Sequence, residues 1–321
     1  MNSIAVLTSG GDSPGMNACI RAVVRATLSH GLSAWGVLRG YEGLIGGEIQ
    51  EMSGTDVSNI ISRGGTILQA ARSPAFRTPA GRETAARNLR ENGIEGLVVI
   101  GGDGSFHGAS ELSEEHGILV VGVPGTIDND IWGSDFTIGY DTAVNTALEA
   151  IDRVRDTAAA HDRLFLVEVM GRDAGFIALE VGIGCGAEVL IIPETPTDIP
   201  RICSLVQRRI ESGRTSNILV VAEGDEAGNA FDIASKIEEY SGLKSRVTVL
   251  GHVQRGGSPT TADRVLATKL GWASVMALLD GAAPCMVGEM NHEIVHHPLQ
   301  DSWMKKKSLD PLLIRISEEL N

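Results

Sequence analysis

Short runs of β-branched and aliphatic residues recur along this chain, each followed by a glycine-rich polar turn and then by apolar positions at helical spacing. That order predicts βα units of a parallel, doubly wound sheet, whose strands are apolar throughout because helices cover both faces. Ile4–Thr8 reads as the first strand, followed by a helix over Asn17–His30 with Ile20, Val23, Val24, Ala26 and Leu28 as its apolar positions. Leu97–Ile100 is a second, followed by a turn and a helix from about Phe106, and Leu119–Val123 is a third. From Asp141 onward, Val144, Ala147, Leu148, Ile151 and Val154 fall on one helical face, which predicts a long helix leading into a second domain. Strands at Leu164–Met170, Val189–Ile192, Ile218–Ala222 and Val247–Leu250 then alternate with helices near Ile199–Ser212 and Phe231–Ser241. The second half is therefore expected to repeat the architecture of the first, with several chain crossings and no low-complexity linker between them.

Composition narrows the class. With 321 residues, 43% hydrophobic and 21% charged, the chain suits two ordinary globular domains rather than a disordered or membrane protein. No apolar run reaches the ~20 residues of a membrane span, and the start Met1-Asn2-Ser3 lacks the basic and apolar segments of a signal peptide. A cytoplasmic location is the expectation. Cys19, Cys185, Cys203 and Cys285 form no CxxC pair, so they read as buried small hydrophobes rather than a zinc site or disulfide framework. The net charge of -14 disfavours nucleic acid as a partner. The run Lys305–Lys307 reads as solvated surface.

Candidate chemistry lies in the turns after the strands, where open α/β sheets bind ligands. Ser9-Gly10-Gly11-Asp12-Ser13-Pro14-Gly15-Met16-Asn17, Gly101-Gly102-Asp103-Gly104-Ser105 and Pro124-Gly125-Thr126-Ile127-Asp128-Asn129-Asp130 are three such turns. Glycine lets backbone N–H groups approach phosphate oxygens, and a following helix N-terminus favours negative charge. Each turn alone could be a tight βα connection; three at strand ends favour phosphate binding. The P-loop pattern GxxxxGK[ST] is absent, and Gly102, Gly104 and Gly108 form only a loose GxGxxxG. Asp103 inside that turn reads as a magnesium ligand, since Mg²⁺ takes one or two carboxylates together with phosphates and waters. Either Asp128 or Asp130 could act as a general base on a sugar hydroxyl; the competing reading is an Asx-type turn.

Arginines would answer the transferred charge. Arg172 follows the strand ending at Val169, at its carboxyl end, whereas Arg163 precedes that strand and suits a neighbouring subunit's cleft in a homo-oligomer. Arg246 begins another strand, and Gly251-His252-Val253-Gln254-Arg255-Gly256-Gly257 follows it, where His252 and Arg255 could bind a non-reacting phosphate.

LTSGGDSPGMN, GGDGS, PGTIDND, VEVMGR and GHVQRGGSP occur in this order in one chain, which closely resembles the bacterial-type ATP-dependent 6-phosphofructokinases nearly end to end. The resemblance implies two Rossmann-like doubly wound domains (the phosphofructokinase fold): an ATP- and magnesium-binding domain of residues 1–139 plus 254–308, and a fructose 6-phosphate-binding domain of residues 140–253 plus 309–321. It implies a glycolytic, allosteric, tetrameric enzyme using ATP and Mg²⁺. Gly11, Tyr41, Arg72, Ser73, Arg77, Gly102, Gly104 and Ser105 would border the nucleotide, and Asp103 would hold the metal. Asp128 would accept the 1-hydroxyl proton, beside Thr126 and Asp130, with Arg172 also catalytic. Met170, Gly171, Arg172, Glu223, His252 and Arg255 would hold the sugar phosphate, joined by Arg163 and Arg246 of a neighbour. Relatives that use pyrophosphate carry aspartate where Gly104 stands and lysine where Gly125 stands, so the two glycines favour ATP. An intersubunit effector site is matched only in part: Arg21, Arg25, Arg155, Glu188 and Arg214 fit, but Gly54 and Ser212 replace basic residues. NAD and diacylglycerol kinases share GGDG-like turns but lack VEVMGR and GHVQRGGSP. A catalytically silent nucleotide-binding protein on this fold would not require Asp103, Asp128 and Arg172 to be intact.

Overall fold

The structure is a computed structural model that describes residues 1–159, 163–213 and 216–320. The elements in chain order are β1 Ser3–Thr8, α1 Met16–Ser29, β2 Ser33–Val37, α2 Gly40–Gly46, β3 Ile49–Met52, α3 Pro79–Glu91, β4 Gly96–Gly101, α4 Asp103–His116, β5 Leu119–Pro124 and α5 Tyr140–Ala159. There follow β6 Arg163–Val169, α6 Phe176–Cys185, β7 Val189–Ile191, α7 Ile199–Glu211, β8 Ser216–Ala222, α8 Ala230–Ser241, β9 Ser245–Val249, α9 Thr261–Leu279, β10 Cys285–Met290, β11 Glu293–His297, α10 Asp301–Met304 and α11 Pro311–Glu319. They divide into a first unit, Met1–Thr142 with Arg255–Lys307, and a second, Ala143–Gln254 with Ser308–Asn321.

The first unit is built on a seven-stranded sheet of order β11-β10-β5-β4-β1-β2-β3. Its central strands β5, β4 and β1 carry apolar residues on both faces because each face has its own core. Ile4, Val6, Val98, Ile100, Val121 and Val123 pack with α1 and α9, whereas Ala5, Leu7, Leu97, Val99 and Val120 pack with α3 and α4. Gly271 of α9 lets that helix meet α1 closely, since a Cβ there would lie 2.8 Å from the Cys19 carbonyl oxygen. The second unit has four parallel strands, β7-β8-β6-β9, over a separate core that includes Leu166, Leu219, Val221 and Ile233.

The two sheets are not repeats of one architecture. Both edges of the first are antiparallel, β3 on β2 and β11 on β10, while every pairing in the second is parallel. At the β10–β11 edge the cause is connection length. Asn291 and His292, both with φ in the left-handed region (51° and 68°), turn β10 directly into β11 as a hairpin, and so short a link cannot cross over to a parallel strand. A second departure from the sequence expectation is the start of α4, at Asp103 rather than about Phe106, with Gly102 as its cap.

Asp263 joins two helix starts within the first unit. Its carboxylate accepts from the N–H groups of Gly139 (2.7 Å) and Thr142 (2.8 Å) and from the Thr142 hydroxyl. The Thr260 hydroxyl, which caps α9, donates to Asp141. Burial pushes the Asp263 carboxyl up to about 6, against the opposing pull of these hydrogen bonds.

Candidate functional site

The three glycine turns stand at the carboxyl ends of adjacent strands β1, β4 and β5. Ser9 N–H donates to Ile100 O, and Gly125 N–H donates to Gly101 O, each at 2.9 Å, so the turns are fastened side by side. Asp103 is the first helical residue of α4, half-buried, where the unsatisfied N–H groups of a helix start favour its negative charge. A Cβ added at Gly104 would meet nothing within 4 Å, and one added at Gly102 would meet only Thr126, at 4.0 Å. The backbone here is therefore open to a large anion.

Gly11 is fixed by a different demand. Its built Cβ would fall 1.7 Å from Arg255 Nη1, so the guanidinium lies directly on the backbone of the first turn. Arg255 begins the return of the chain into the first unit, one residue after the long segment of the second unit ends at Gln254. Arg255 Nε is buried with no hydrogen-bond partner among the described residues, which suits a group that answers an anion.

Asp128 is buried at 7% exposure on the third turn. The Thr126 hydroxyl donates to Asp128 Oδ2 at 3.3 Å and accepts from Asp128 N–H at 3.2 Å, so the carboxylate is oriented by its own turn. The local-turn reading and the general-base reading thus coexist in one geometry. Asp130, two residues on, is half-buried. Tyr41 is buried, its ring stacked on Phe76 at 3.8 Å and its hydroxyl bonded to Ser105 O at 2.5 Å, so it braces the start of α4. Burial raises its phenol well above the ordinary value. Ser105 is buried beside Gly101, and Ser73 accepts from Phe76 N–H. Arg72 and Arg77 are exposed, and neither guanidinium is bonded to the glycine turns among the described residues.

In the second unit, Met170, Gly171 and Arg172 follow β6, and Glu223 follows β8, its neighbour in the sheet. Arg172 has φ 56°, and its N–H donates to Glu223 Oε1 at 2.8 Å. The turn requires Gly224, because a Cβ there would lie 2.0 Å from Arg172 O. His252 and Arg246 are exposed. Arg163 opens β6 and pairs with Ser216, which places it at the opposite end of that strand from Arg172. Of the effector candidates, Glu188 is buried, accepts from Ile218 N–H, and lies 3.5 Å from Arg155. Arg21 and Arg25 lie on α1, and Arg214 falls outside the described residues.

Three side chains escaped the sequence reading. Buried Asn17 donates to the carbonyls of Arg63, Gly64 and Gly65 and accepts from Ile67 N–H, closing the following loop onto the first turn. Gln254, fully buried, accepts from Met170 N–H at 2.8 Å. Lys307 was expected at the surface, and the structure corrects this: its Nζ donates to Asn129 Oδ1 at 2.8 Å and to Asp135 O at 2.7 Å. Asn17 and Gln254 stand inside the glycine motifs, which was the only available signal; Lys307 had none.

The sequence pattern of the phosphofructokinase family matches residues 3–278. The ATP-dependent 6-phosphofructokinase 1 of Thermus thermophilus is 55% identical over 320 residues, spanning 100% of this chain and 99% of that protein. The chain belongs to the phosphofructokinase family. Another member, the ATP-dependent 6-phosphofructokinase of Halalkalibacterium halodurans, is 54% identical over all of both chains. Among solved phosphofructokinases, that of Saccharomyces cerevisiae superposes with a TM-score of 0.89 at 38% identity, covering 100% of this chain and 47% of the yeast chain. This chain thus spans about half the length of its yeast relative, and the shared fold is α/β with parallel sheets, as the alternation of strands and glycine turns implied.

Proposed function

We propose that this chain is an ATP-dependent 6-phosphofructokinase that transfers the γ-phosphoryl group of ATP to the 1-hydroxyl of fructose 6-phosphate, giving fructose 1,6-bisphosphate and ADP in glycolysis. The observation that carries this reading is the fastening of Asp128, oriented by Thr126, beside the open start of α4 in a chain so similar to curated members of the family. Gly11, Tyr41, Gly102, Gly104 and Ser105 border the nucleotide, together with Arg72, Ser73 and Arg77. Met170, Gly171, Arg172, Glu223, His252 and Arg255 hold the sugar phosphate, joined by Arg163 and Arg246 of a second copy in a homotetramer.

Asp128 takes the proton of the 1-hydroxyl as its oxygen bonds to the γ-phosphorus. The bond from that phosphorus to the bridging oxygen of ADP breaks, leaving its electron pair on ADP. Arg172 stabilises the charge spread over the transferred oxygens, and Asp130 sits beside the base. Asp103 fits a magnesium ion: it is one half-buried carboxylate beside open backbone, the donor set Mg²⁺ takes when phosphates and waters complete its shell. Bound there, the ion would neutralise phosphate charge. Gly104 favours ATP over pyrophosphate as donor, because only open space lies where a side chain would intrude. At Gly125 a side chain would first have to displace Ile100, whose Cγ2 is 2.7 Å from a built Cβ.

A panel of ATP, GTP and pyrophosphate against fructose 6-phosphate, tagatose 6-phosphate and NAD tests the reading. Turnover is expected with ATP and fructose 6-phosphate; activity confined to pyrophosphate or to NAD overturns it. Asp128→Ser should lower kcat by about 10²–10⁴-fold with a smaller change in KM, and retained turnover would remove Asp128 from its role.

A further inference from the structure

Lys307 is the last residue of the first unit, and the structure turns it inward while its neighbours stay in water. Lys305 is exposed, paired with Asp301 at 2.9 Å and lying 3.9 Å over the Trp132 ring, and Lys306 is also exposed. A backbone bridge between Lys306 and Ile131 sets this strip of chain antiparallel to the end of the Asp128 turn. From there the Lys307 stem runs inward to Asn129, the residue between Asp128 and Asp130.

Asn129 is the pivot of that turn. Its backbone is left-handed, φ 54°, which reverses the chain between the two carboxylates. Its side-chain oxygen accepts from Thr137 N–H at 3.0 Å and from Lys307 Nζ at 2.8 Å, so both lone pairs are engaged. The Thr137 hydroxyl in turn donates to Thr126 O at 2.6 Å, and Thr126 orients Asp128. Lys307 is half-buried, and an ammonium drawn partly out of water is costly unless hydrogen-bonded. Burial brings Lys307 down to about 8, while Asp135 and Asp130 oppose the fall. An apolar residue would avoid that cost, so the retained cation points to a task beyond filling space.

We infer that Lys307 is a positioning residue for the transfer reaction: its ammonium, held between Asn129 Oδ1 and the Asp135 carbonyl, locks the turn that aims Asp128. The inference rests on the reading of Asp128 as the base. Lys307 acts through Asn129 and the turn, so its loss should reach the chemical step more than substrate affinity.

Steady-state kinetics with ATP and fructose 6-phosphate, alongside thermal melting, test it on Lys307→Met, Asn129→Gly, the double variant and Lys306→Ala. Glycine at 129 keeps the left-handed backbone and removes only the acceptor. Lys307→Met should lower kcat about 10- to 100-fold with KM for the sugar phosphate within about threefold, and Lys306→Ala should match the wild type. In the Asn129→Gly background the lysine change should alter kcat by less than about twofold, because the contact is already gone. Wild-type kcat in Lys307→Met, a loss seen only in KM, or fully additive losses overturn the inference. If Lys307→Met does not melt cooperatively, Asn129→Gly alone decides, and wild-type kcat there defeats the proposal. A wild-type chain that turns over no fructose 6-phosphate defeats the parent reading instead.

Discussion

At the scale of single residues, the contact between Gly11 and Arg255 makes a sharp demand. Alanine at 11 would place its methyl group 1.7 Å from Arg255 Nη1, yet only the flexible end of a side chain has to move. Gly11→Ala should therefore fold with a stability change within about 1 kcal/mol while kcat/KM for fructose 6-phosphate falls by roughly tenfold or more, the loss of one charge-assisted contact. An unchanged kcat/KM would show that the guanidinium does not act from that position. The placement of Asp103, Asp128 and Arg172 just after strand ends was legible in the sequence because glycine turns mark strand ends, where ligands gather. Asn17, Gln254 and Lys307 were not, because a staple acts on backbone far away in sequence: Lys307 and its partner Asn129 lie 178 positions apart.

Among helices, amphipathic segments were read well, and uniformly apolar or weakly apolar ones were missed. α1, α5, α7 and α8 lie close to their expected spans. α9 was not found, because it is apolar nearly all round and shows no polar face to set a period. α3 was not found either, since its buried face is little more than Ala85, Ala86 and Leu89. The clasp between α5 and α9 carries a pH consequence. Asp263 has its folded value raised from 3.8 to about 6, so the folded chain holds a proton that the unfolded chain has released. Its contribution to stability is therefore full below about pH 3.8 and is lost as pH rises through 6. Between pH 5 and 8 the wild type should lose about 1 kcal/mol of stability that Asp263→Asn, which does not titrate, keeps. Urea melts at both pH values check this, and parallel curves for the two proteins count against it.

For the whole molecule, the effector residues are where the resemblance to the family is only partial. Glu188 is already engaged by Ile218 N–H, Arg155 and Arg209. Gly54 offers no side chain, and the Ser212 hydroxyl is spent on Arg209 O at 2.8 Å. Each missing charge-assisted bond to an anionic effector is worth roughly 1.5–3 kcal/mol, so ADP and phosphoenolpyruvate should shift fructose 6-phosphate saturation only weakly. Assays with each effector check this, and a strong change in cooperativity would refute it. The chain leaves the first unit after Thr142 and returns at Arg255, so β10, which pairs with β5, is supplied late. On the ribosome, a nascent chain ending at residue 254 would thus carry an unzipped sheet margin next to Asp128, and its catalytic turn would be completed only once Lys307 had left the exit tunnel. Synthesis itself would then withhold turnover until the returning segment through Lys307 had emerged, a safeguard that an enzyme made as two uninterrupted modules would lack.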